Sequence, residues 1–333
     1  MNMRDRSGIR QMAAEKLSRA QYDPRRLALL HTGAALALTT VLTVLNYILT
    51  QRIDTTGGLA GLGNRAILET ARTMLQYASV ILLPFWELGF VFAALRLARE
   101  QEAKPESLLE GFRRFFPALR LMLLRLVLYI GVALCCINFG ATIYAMTPLA
   151  QPVVELLEPI MNAENAQQMQ LLMEQVSMET MVKVIWPAWV IFGVLYALLM
   201  IPLLYRLRMA EFVLMDEQKI GAFAAMSKSN QIMRRNCWKL FRLDLDFWWF
   251  YALQILVTVL CYGDLLVEWL GIPLPIDKDV RFFLFYIVYA LCQLALYTYA
   301  WGRVQTTYGV AYDVLLEQAG IVRKPEEPKM WNN

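Results

Sequence analysis

The chain has 333 residues, of which 58% are apolar and 18% are charged. Soluble domains contain roughly 45 to 50% apolar and about 25% charged residues, so this composition excludes an ordinary soluble core. The net charge is +4, yet no recognisable nucleic-acid-binding module accompanies the basic residues. Nucleic acid is therefore not an expected partner.

The residues that usually carry metal or enzyme chemistry are few. A single histidine, His31, and five cysteines without metal-ligand spacing disfavour a zinc or haem site. The sequence contains neither a nucleophile elbow nor a P-loop. We therefore expect no metal, no cofactor and no enzyme activity.

Six stretches are long and apolar enough to cross a bilayer, which takes about 20 residues of helix. Each is predicted to be helical, because backbone polar groups in hydrocarbon must be bonded within the segment. The prediction is weakest for the fifth stretch, since it reaches the length of a span only when acidic residues at its ends are included. The predicted spans are 27–51, 73–97, 119–146, 184–205, 244–266 and 282–302.

The distribution of Lys and Arg predicts the orientation, because these residues favour the cytoplasmic side. Of the 32, 25 lie in the segments 1–26, 96–120, 205–242 and 303–333, and only five lie in the alternate loops. Both termini are therefore predicted to be cytoplasmic. The predicted parts are a tail over 1–26 with an amphipathic helix, a membrane domain over 27–302 with an outer segment at 147–183, and a tail over 303–333.

An amphipathic helix is predicted before each odd-numbered span, in the cytoplasmic segments. The apolar faces consist of Ile9, Met12, Ala13, Leu17 and Ala20 in the first, Leu108, Leu109, Phe112, Phe115 and Phe116 in the second, and Ile220, Phe223, Met226 and Met233 in the third. We infer three parallel units, each an interfacial helix followed by a pair of spans, starting near residues 9, 106 and 219.

Basic side chains on these helices suit anionic headgroups or the surface of a partner protein. Membrane lipids are the expected partners, and another membrane or cytoplasmic protein is the alternative. The candidate lipid-facing or partner-facing residues are Arg113, Arg114, Lys228, Arg234 and Arg235.

Residues 205–247 read YRLRMAEFVLMDEQKIGAFAAMSKSNQIMRRNCWKLFRLDLDF. A Tyr-rich exit from the fourth span precedes Asp216 and a Gly-Ala helix start, and Trp238 to Phe241 run into Leu243-Asp244-Leu245. This block resembles a bacterial family of integral membrane proteins catalogued as domain of unknown function 975. The chain departs from the family pattern where it has Asp246 and Trp249. The resemblance implies a multi-pass protein of the bacterial plasma membrane and supplies no activity.

Ionisable side chains within spans are candidates for a functional site, because inserting one costs about 2.5 to 3.5 kcal/mol. Glu87 interrupts the second span, and it reads either as a carboxyl that holds helices together or as a solute, ion or proton site. Asp244 has no basic residue three or four positions away, so its partner is expected on another helix, with Arg125 as a candidate. Together these three residues form a predicted intramembrane polar cluster.

Two classes of function follow from these observations. The first is a non-catalytic membrane module that binds lipid or a partner protein. The second is a transporter or channel-like carrier of a small solute or ion that uses the intramembrane carboxylates Glu87 and Asp244.

Overall fold

Long helices make up the regular structure of this computed structural model, which describes residues 5–55, 62–162, 165, 178–217, 219–271 and 277–321. Short 3₁₀ turns lie at Pro105–Leu109 and Pro148–Ala150, and a π turn lies at Tyr297–Trp301. The α-helices in chain order are α1 (Arg6–Ser18), α2 (Pro24–Thr55), α3 (Leu62–Ala98), α4 (Glu110–Arg113), α5 (Phe115–Ala145), α6 (Gln151–Met161), α7 (Met178–Leu207), α8 (Ala210–Asp216), α9 (Ala222–Met233), α10 (Cys237–Leu245), α11 (Trp248–Cys261), α12 (Gly263–Trp269), α13 (Lys278–Leu296) and α14 (Gly302–Gln318).

Among the residues that the structure describes, five helical stretches are long and apolar enough to cross a membrane, and the bent pair α10 and α11 makes a sixth if it counts as one span. Large apolar side chains are exposed along these helices, including Val41, Val127, Phe139, Leu198 and Ile255. Soluble proteins rarely expose contiguous apolar surface on this scale. The prediction of an all-α membrane protein with about six spans is confirmed.

The fifth predicted span, 244–266, is not one continuous helix. Helix α10 ends at Leu245 and α11 begins at Trp248, and the two helices meet at 66°. A second break at Tyr262 separates α11 from α12. Asp244 and Asp246 account for the first break, because each carboxylate is held at the turn by arginines from elsewhere in the chain.

The C-terminal region contains a long buried helix where the sequence predicts a tail at 303–333. Helix α13 continues through the π turn into α14, which ends at Gln318. Val304, Ala311 and Leu315 of α14 are buried. Polar residues are interspersed among the apolar residues of α14, so hydropathy does not identify this helix as part of a span. The sequence therefore predicts a tail where the structure has a buried helix. Residues 322–333 lie outside the described part of the chain.

The chain divides into two compact units, residues 1–119 with 208–333 and residues 120–207. In the first unit, α3 is the central helix and packs against α2, α14, α8, α4 and the 3₁₀ turn that precedes α4. In the second unit, α6 packs against α7. The predicted outer segment 147–183 includes residues 163–164 and 166–177, which lie outside the described ranges.

Two glycines bring α3 into backbone contact with the segment before α5. A Cβ built on Gly89 would lie 1.8 Å from the Leu108 carbonyl oxygen, and one built on Gly111 would lie 1.9 Å from the Phe85 carbonyl oxygen. Backbone atoms cannot move aside as a flexible side chain can. Only glycine fits at these positions, and the contact fixes α4 on the side of α3.

The three predicted amphipathic helices differ in outcome. Helix α1 buries Ile9 and Ala13, as expected. The second segment is a 3₁₀ turn followed by the short α4, and it buries the charged residue Glu110. Its Leu109 and Phe116, assigned to the apolar face, are exposed.

The third helix, α9, buries Met226 and Met233 but exposes 77% of Phe223. Its buried face also contains the small residues Ala222, Ala225 and Ser229. Small side chains allow α9 to pack closely, so the helix turns this face inward rather than the bulky phenylalanine. The first span of the third predicted unit is bent between α10 and α11, and the three-unit repeat stays a prediction.

Candidate functional site

Asp244, at the end of α10, lies in a closed group of polar side chains that we call the Asp244 ring: Arg208, Asp244, Tyr251 and Tyr308. Arg208 forms an ion pair with the Oδ2 atom of Asp244, and the Tyr308 hydroxyl donates to Oδ1 at 2.6 Å. The Tyr251 hydroxyl lies 3.2 Å from Arg208 Nη2 and 2.8 Å from the Tyr308 hydroxyl. The Arg208 guanidinium also lies 4.5 Å from the centre of the Tyr308 ring.

Each acceptor oxygen of Asp244 therefore has a partner within the first unit. The sequence predicts a partner on another helix, and the structure places Arg208, in the short link between α7 and α8, beside Asp244. Buried charges persist when they are paired and hydrogen-bonded. This arrangement favours the structural interpretation of Asp244, in which it joins α10, α11 and α14.

A second ion cluster joins the end of α3 to α8 and α14. Arg99 Nη1 and Nη2 donate to the two carboxylate oxygens of Asp216 at 2.5 and 3.0 Å, and Arg99 Nη2 donates to Asp313 at 2.8 Å. Tyr312 donates to Asp216 at 3.2 Å. Burial lowers the pKa of the Arg99 guanidinium, but its bonds to Asp216 and Asp313 outweigh burial and raise that pKa above the ordinary value.

The predicted basic surface separates into bound and exposed residues. Arg114 is largely buried, and its Nη1 donates to the Leu214 carbonyl oxygen at 2.5 Å while its Nε lies 3.5 Å from Glu110. Lys228 forms an ion pair with Glu217. Arg113 pairs with Glu110 at 3.3 Å but is half-exposed. Arg234 and Arg235 are exposed, so these two and Arg113 are the predicted residues that a ligand can reach.

Glu87 of α3 faces His31 of α2, with 3.9 Å between Glu87 Oε1 and His31 Nε2. The imidazole is 1% exposed and packs against Trp86 and Phe90. The Trp86 indole N–H donates to the His31 carbonyl oxygen at 2.8 Å. Among the described residues, neither ring nitrogen of His31 has a hydrogen-bond partner. The sequence singles out Glu87, and the structure adds His31 as its neighbour.

Arg125 belongs to the second unit, where its Nη2 donates to the Leu207 carbonyl oxygen at 2.6 Å. Glu87 and Asp244 belong to the first unit. Within the first unit, the cation that pairs with Asp244 is Arg208. The grouping of Glu87, Arg125 and Asp244 into one cluster stays a prediction.

A groove of about 610 Å³ lies in the first unit, between α1, the start of α2, the turn between α10 and α11, and the π turn before α14. Its volume falls in the range of small-molecule sites, roughly 300 to 1,000 Å³. We call it the arginine groove. Its lining includes the cations Arg10, Arg25 and Arg303, the carboxylates Asp23 and Asp246, the aromatic residues Phe247, Trp249 and Tyr299, and the apolar residues Leu17, Pro24 and Val304.

The arginine groove and the partners Arg208, Arg99 and Asp313 were not singled out from the sequence. Basic residues beside a span normally read as solvated anchors, so Arg99 and Arg208 gave no distinct signal. The block resembling the family did contain two informative residues, Asp216 and Asp244. Each of these aspartates is the acceptor of one ion cluster.

Comparison with known proteins identifies a family without an assigned role. A family model described as "Protein of unknown function (DUF975)" matches residues 1–307 and confirms the resemblance seen in the sequence. No curated protein matches the chain, and no solved structure matches it.

Proposed function

We propose that this chain, which belongs to the DUF975 family of proteins of unknown function, is a non-catalytic membrane module that binds lipid or a partner protein at one boundary of the membrane. The supporting observation is that buried carboxylates of the chain form ion pairs with its own arginines. The carboxylates Asp216, Asp244 and Glu110 are bound to the arginines of the same unit. Carboxylates engaged in this way hold helices together and leave no vacant partner for a substrate.

The surface supports the same proposal. Arg25, Arg234, Arg235 and Arg303 are exposed, and exposed basic residues beside spans attract anionic headgroups by about 1 kcal/mol each. We infer from the charge distribution that they face the cytoplasm, with both termini inside, and from the family resemblance that the membrane is a bacterial plasma membrane. Reporter fusions after residue 321 and within the outer segment 147–183 test this orientation, and cytoplasmic reporters at the second position would contradict it.

Native mass spectrometry of the protein after gentle purification tests the binding proposal. A lipid or protein that remains at fixed stoichiometry through repeated detergent exchange is the expected result. A chain that retains only detergent, while folded as judged by its thermal transition, would refute the binding role.

A transporter is the second candidate, and the facing pair Glu87 and His31 favours it. A buried imidazole with two unbonded nitrogens beside a carboxyl is the chemistry of a proton or cation relay. In proteoliposomes with a pH-sensitive dye, this candidate predicts a pH-driven flux that Glu87→Gln abolishes without lowering the amount of folded protein. If Glu87→Gln only lowers the amount of folded protein, the transporter candidate is rejected and Glu87 has a structural role.

A further inference from the structure

We propose that the arginine groove binds the phosphate of one anionic phospholipid, with Arg25 and Arg303 as its ligands. The inference rests on the proposed lipid-binding function and assigns to it a site and a headgroup chemistry. Four separate segments of the chain build the groove: α1, the start of α2, the turn at Asp246 and Phe247, and the chain around Tyr299.

Two guanidinium groups converge on one aromatic ring at this site. Arg25 Cζ lies 5.9 Å and Arg303 Cζ lies 5.3 Å from the centre of the Tyr299 ring. Within the part of the chain that the structure describes, neither arginine forms an ion pair with a carboxylate. Because both guanidinium groups contact the same ring, two like charges share one region of the groove without a carboxylate partner, which favours a bound anion. Arginine suits phosphate because its planar fork donates two parallel hydrogen bonds.

The carboxylates of the groove do not cancel this charge. Asp246 is already neutralised by α1, with Arg6 Nη1 at 3.1 Å and Arg10 Nε at 3.7 Å. Asp23 accepts the backbone N–H of Arg25 at 2.9 Å and lies 4.0 Å from Arg26. The pairing at Asp246 also anchors α1 as one wall of the groove.

The position of the groove matches the level of lipid headgroups. Pro24 precedes the first predicted span by three residues, Phe247 begins the apolar part of the fifth, and Gly302 is the last residue of the sixth. All three residues line the groove, so it lies where chain segments enter the membrane. Trp249 and Tyr299 are exposed there, as expected of aromatic side chains at a membrane interface.

The rest of the wall suits the glycerol and the first methylenes of the acyl chains. Leu17 and Pro24, which are partly exposed, and the exposed Trp249 provide apolar surface beside the arginines. A free phosphate ion would use the cations alone and leave this surface uncovered. Basic pockets between helices at a membrane boundary bind anionic lipid headgroups through the same combination of charge and apolar wall.

The double variant Arg25→Gln/Arg303→Gln tests the site, with Lys104→Gln/Arg120→Gln as a control that removes the same charge from exposed residues outside the groove. Each protein is mixed with equal amounts of phosphatidylglycerol and zwitterionic phosphatidylcholine in detergent, and the bound lipid is counted by native mass spectrometry. We expect wild type and the control to retain one phosphatidylglycerol preferentially, and the groove variant to bind it roughly thirtyfold more weakly. Millimolar inorganic phosphate should not displace the lipid.

The outcomes separate the site from the function. A groove variant that retains phosphatidylglycerol like wild type would overturn this site and leave lipid binding elsewhere. Wild type without a preference for phosphatidylglycerol would overturn the inference together with anionic lipid as the ligand. If inorganic phosphate displaces the lipid, the groove is a site for a free anion, and the inference is overturned.

Crosslinking of the wild-type chain keeps the test independent of whether the variant folds. Phosphatidylglycerol with a photoreactive group near its headgroup is irradiated with the protein, and the modified peptides are mapped. Modification within residues 10–25 and 298–307 is expected. Modification confined to other segments would overturn the assignment.

Discussion

Arg208 and Asp244 lie 36 positions apart in the chain and form an ion pair whose carboxylate also accepts the hydroxyl of Tyr308. The pair links the chain after α7 to the end of α10, and Tyr308 extends the link to α14. Asp244, at the edge of an apolar stretch, thereby connects helices that are distant in sequence.

Asp244→Asn should destabilise the first unit, because it leaves the Arg208 guanidinium without its counter-charge. Breaking a buried pair costs about 3 to 5 kcal/mol, and we expect about 1 to 3 kcal/mol here because Arg208 is about one third exposed. The measurement is the thermal transition in detergent. Asp246→Asn, in a more exposed ion pair two residues later, is the matched control and should shift the transition less. Equal shifts would contradict the role of the Asp244 ring.

Arg99→Lys should destabilise the protein even though it preserves the charge. One ammonium cannot reproduce the fork that binds Asp216 in two places while also bonding Asp313. Loss of one charge-assisted hydrogen bond corresponds to roughly 1.5 to 3 kcal/mol. Arg96→Lys is the control, since its guanidinium lies over the Phe92 ring, 5.4 Å from the ring centre, instead of bridging two carboxylates. Thermal unfolding that is the same for both variants would show that the bidentate geometry is unimportant.

Gly89→Ala should prevent the close approach of α3 to the 3₁₀ turn, because the added methyl would overlap the Leu108 carbonyl. We expect a severe loss of monodisperse protein in size-exclusion chromatography. Gly33→Ala, also within a helix but with no atom within 4 Å of the added Cβ, should be neutral or stabilising by up to about 1 kcal/mol, since alanine favours helices over glycine. A well-folded Gly89→Ala variant would contradict the contact.

Met226→Ser should destabilise α9 against its neighbours, whereas Phe223→Ser should have little effect. Met226 is buried and Phe223 is largely exposed, and truncation of a buried methionine costs at least about 2 kcal/mol. Thermal transitions of the two variants decide between the faces. A larger loss of thermal stability for Phe223→Ser would indicate that the face predicted from the sequence is the buried one.

The sequence predicts the spans well where they are apolar throughout, and less well where polar side chains are buried. Helices α2, α3, α5 and α7 cover the first four predicted spans. The fifth is broken beside Asp244 and Asp246, since these carboxylates turn toward arginines from distant segments. A hydropathy profile cannot predict this break, because it scores each charged residue without regard to its ion-pair partner.

The site was predictable only in its isolated members. Asp244 and Glu87 stand out because a charge among apolar residues is unusual. Arg208 and Arg25 do not, since basic residues at helix ends are ordinary. The arginine groove requires residues near positions 10, 25, 246 and 303 to meet, and no local periodicity encodes that meeting.

Helix α14 determines where this chain can be shortened for expression. An endpoint at residue 302, which hydropathy alone would suggest, removes Tyr308, Tyr312 and Asp313 and takes partners away from both Asp244 and Arg99. An endpoint after residue 321 keeps both ion clusters and the whole of α14. Fluorescent tags and truncations are therefore best placed beyond Ile321, and shorter proteins would report on the loss of that helix rather than on the membrane domain.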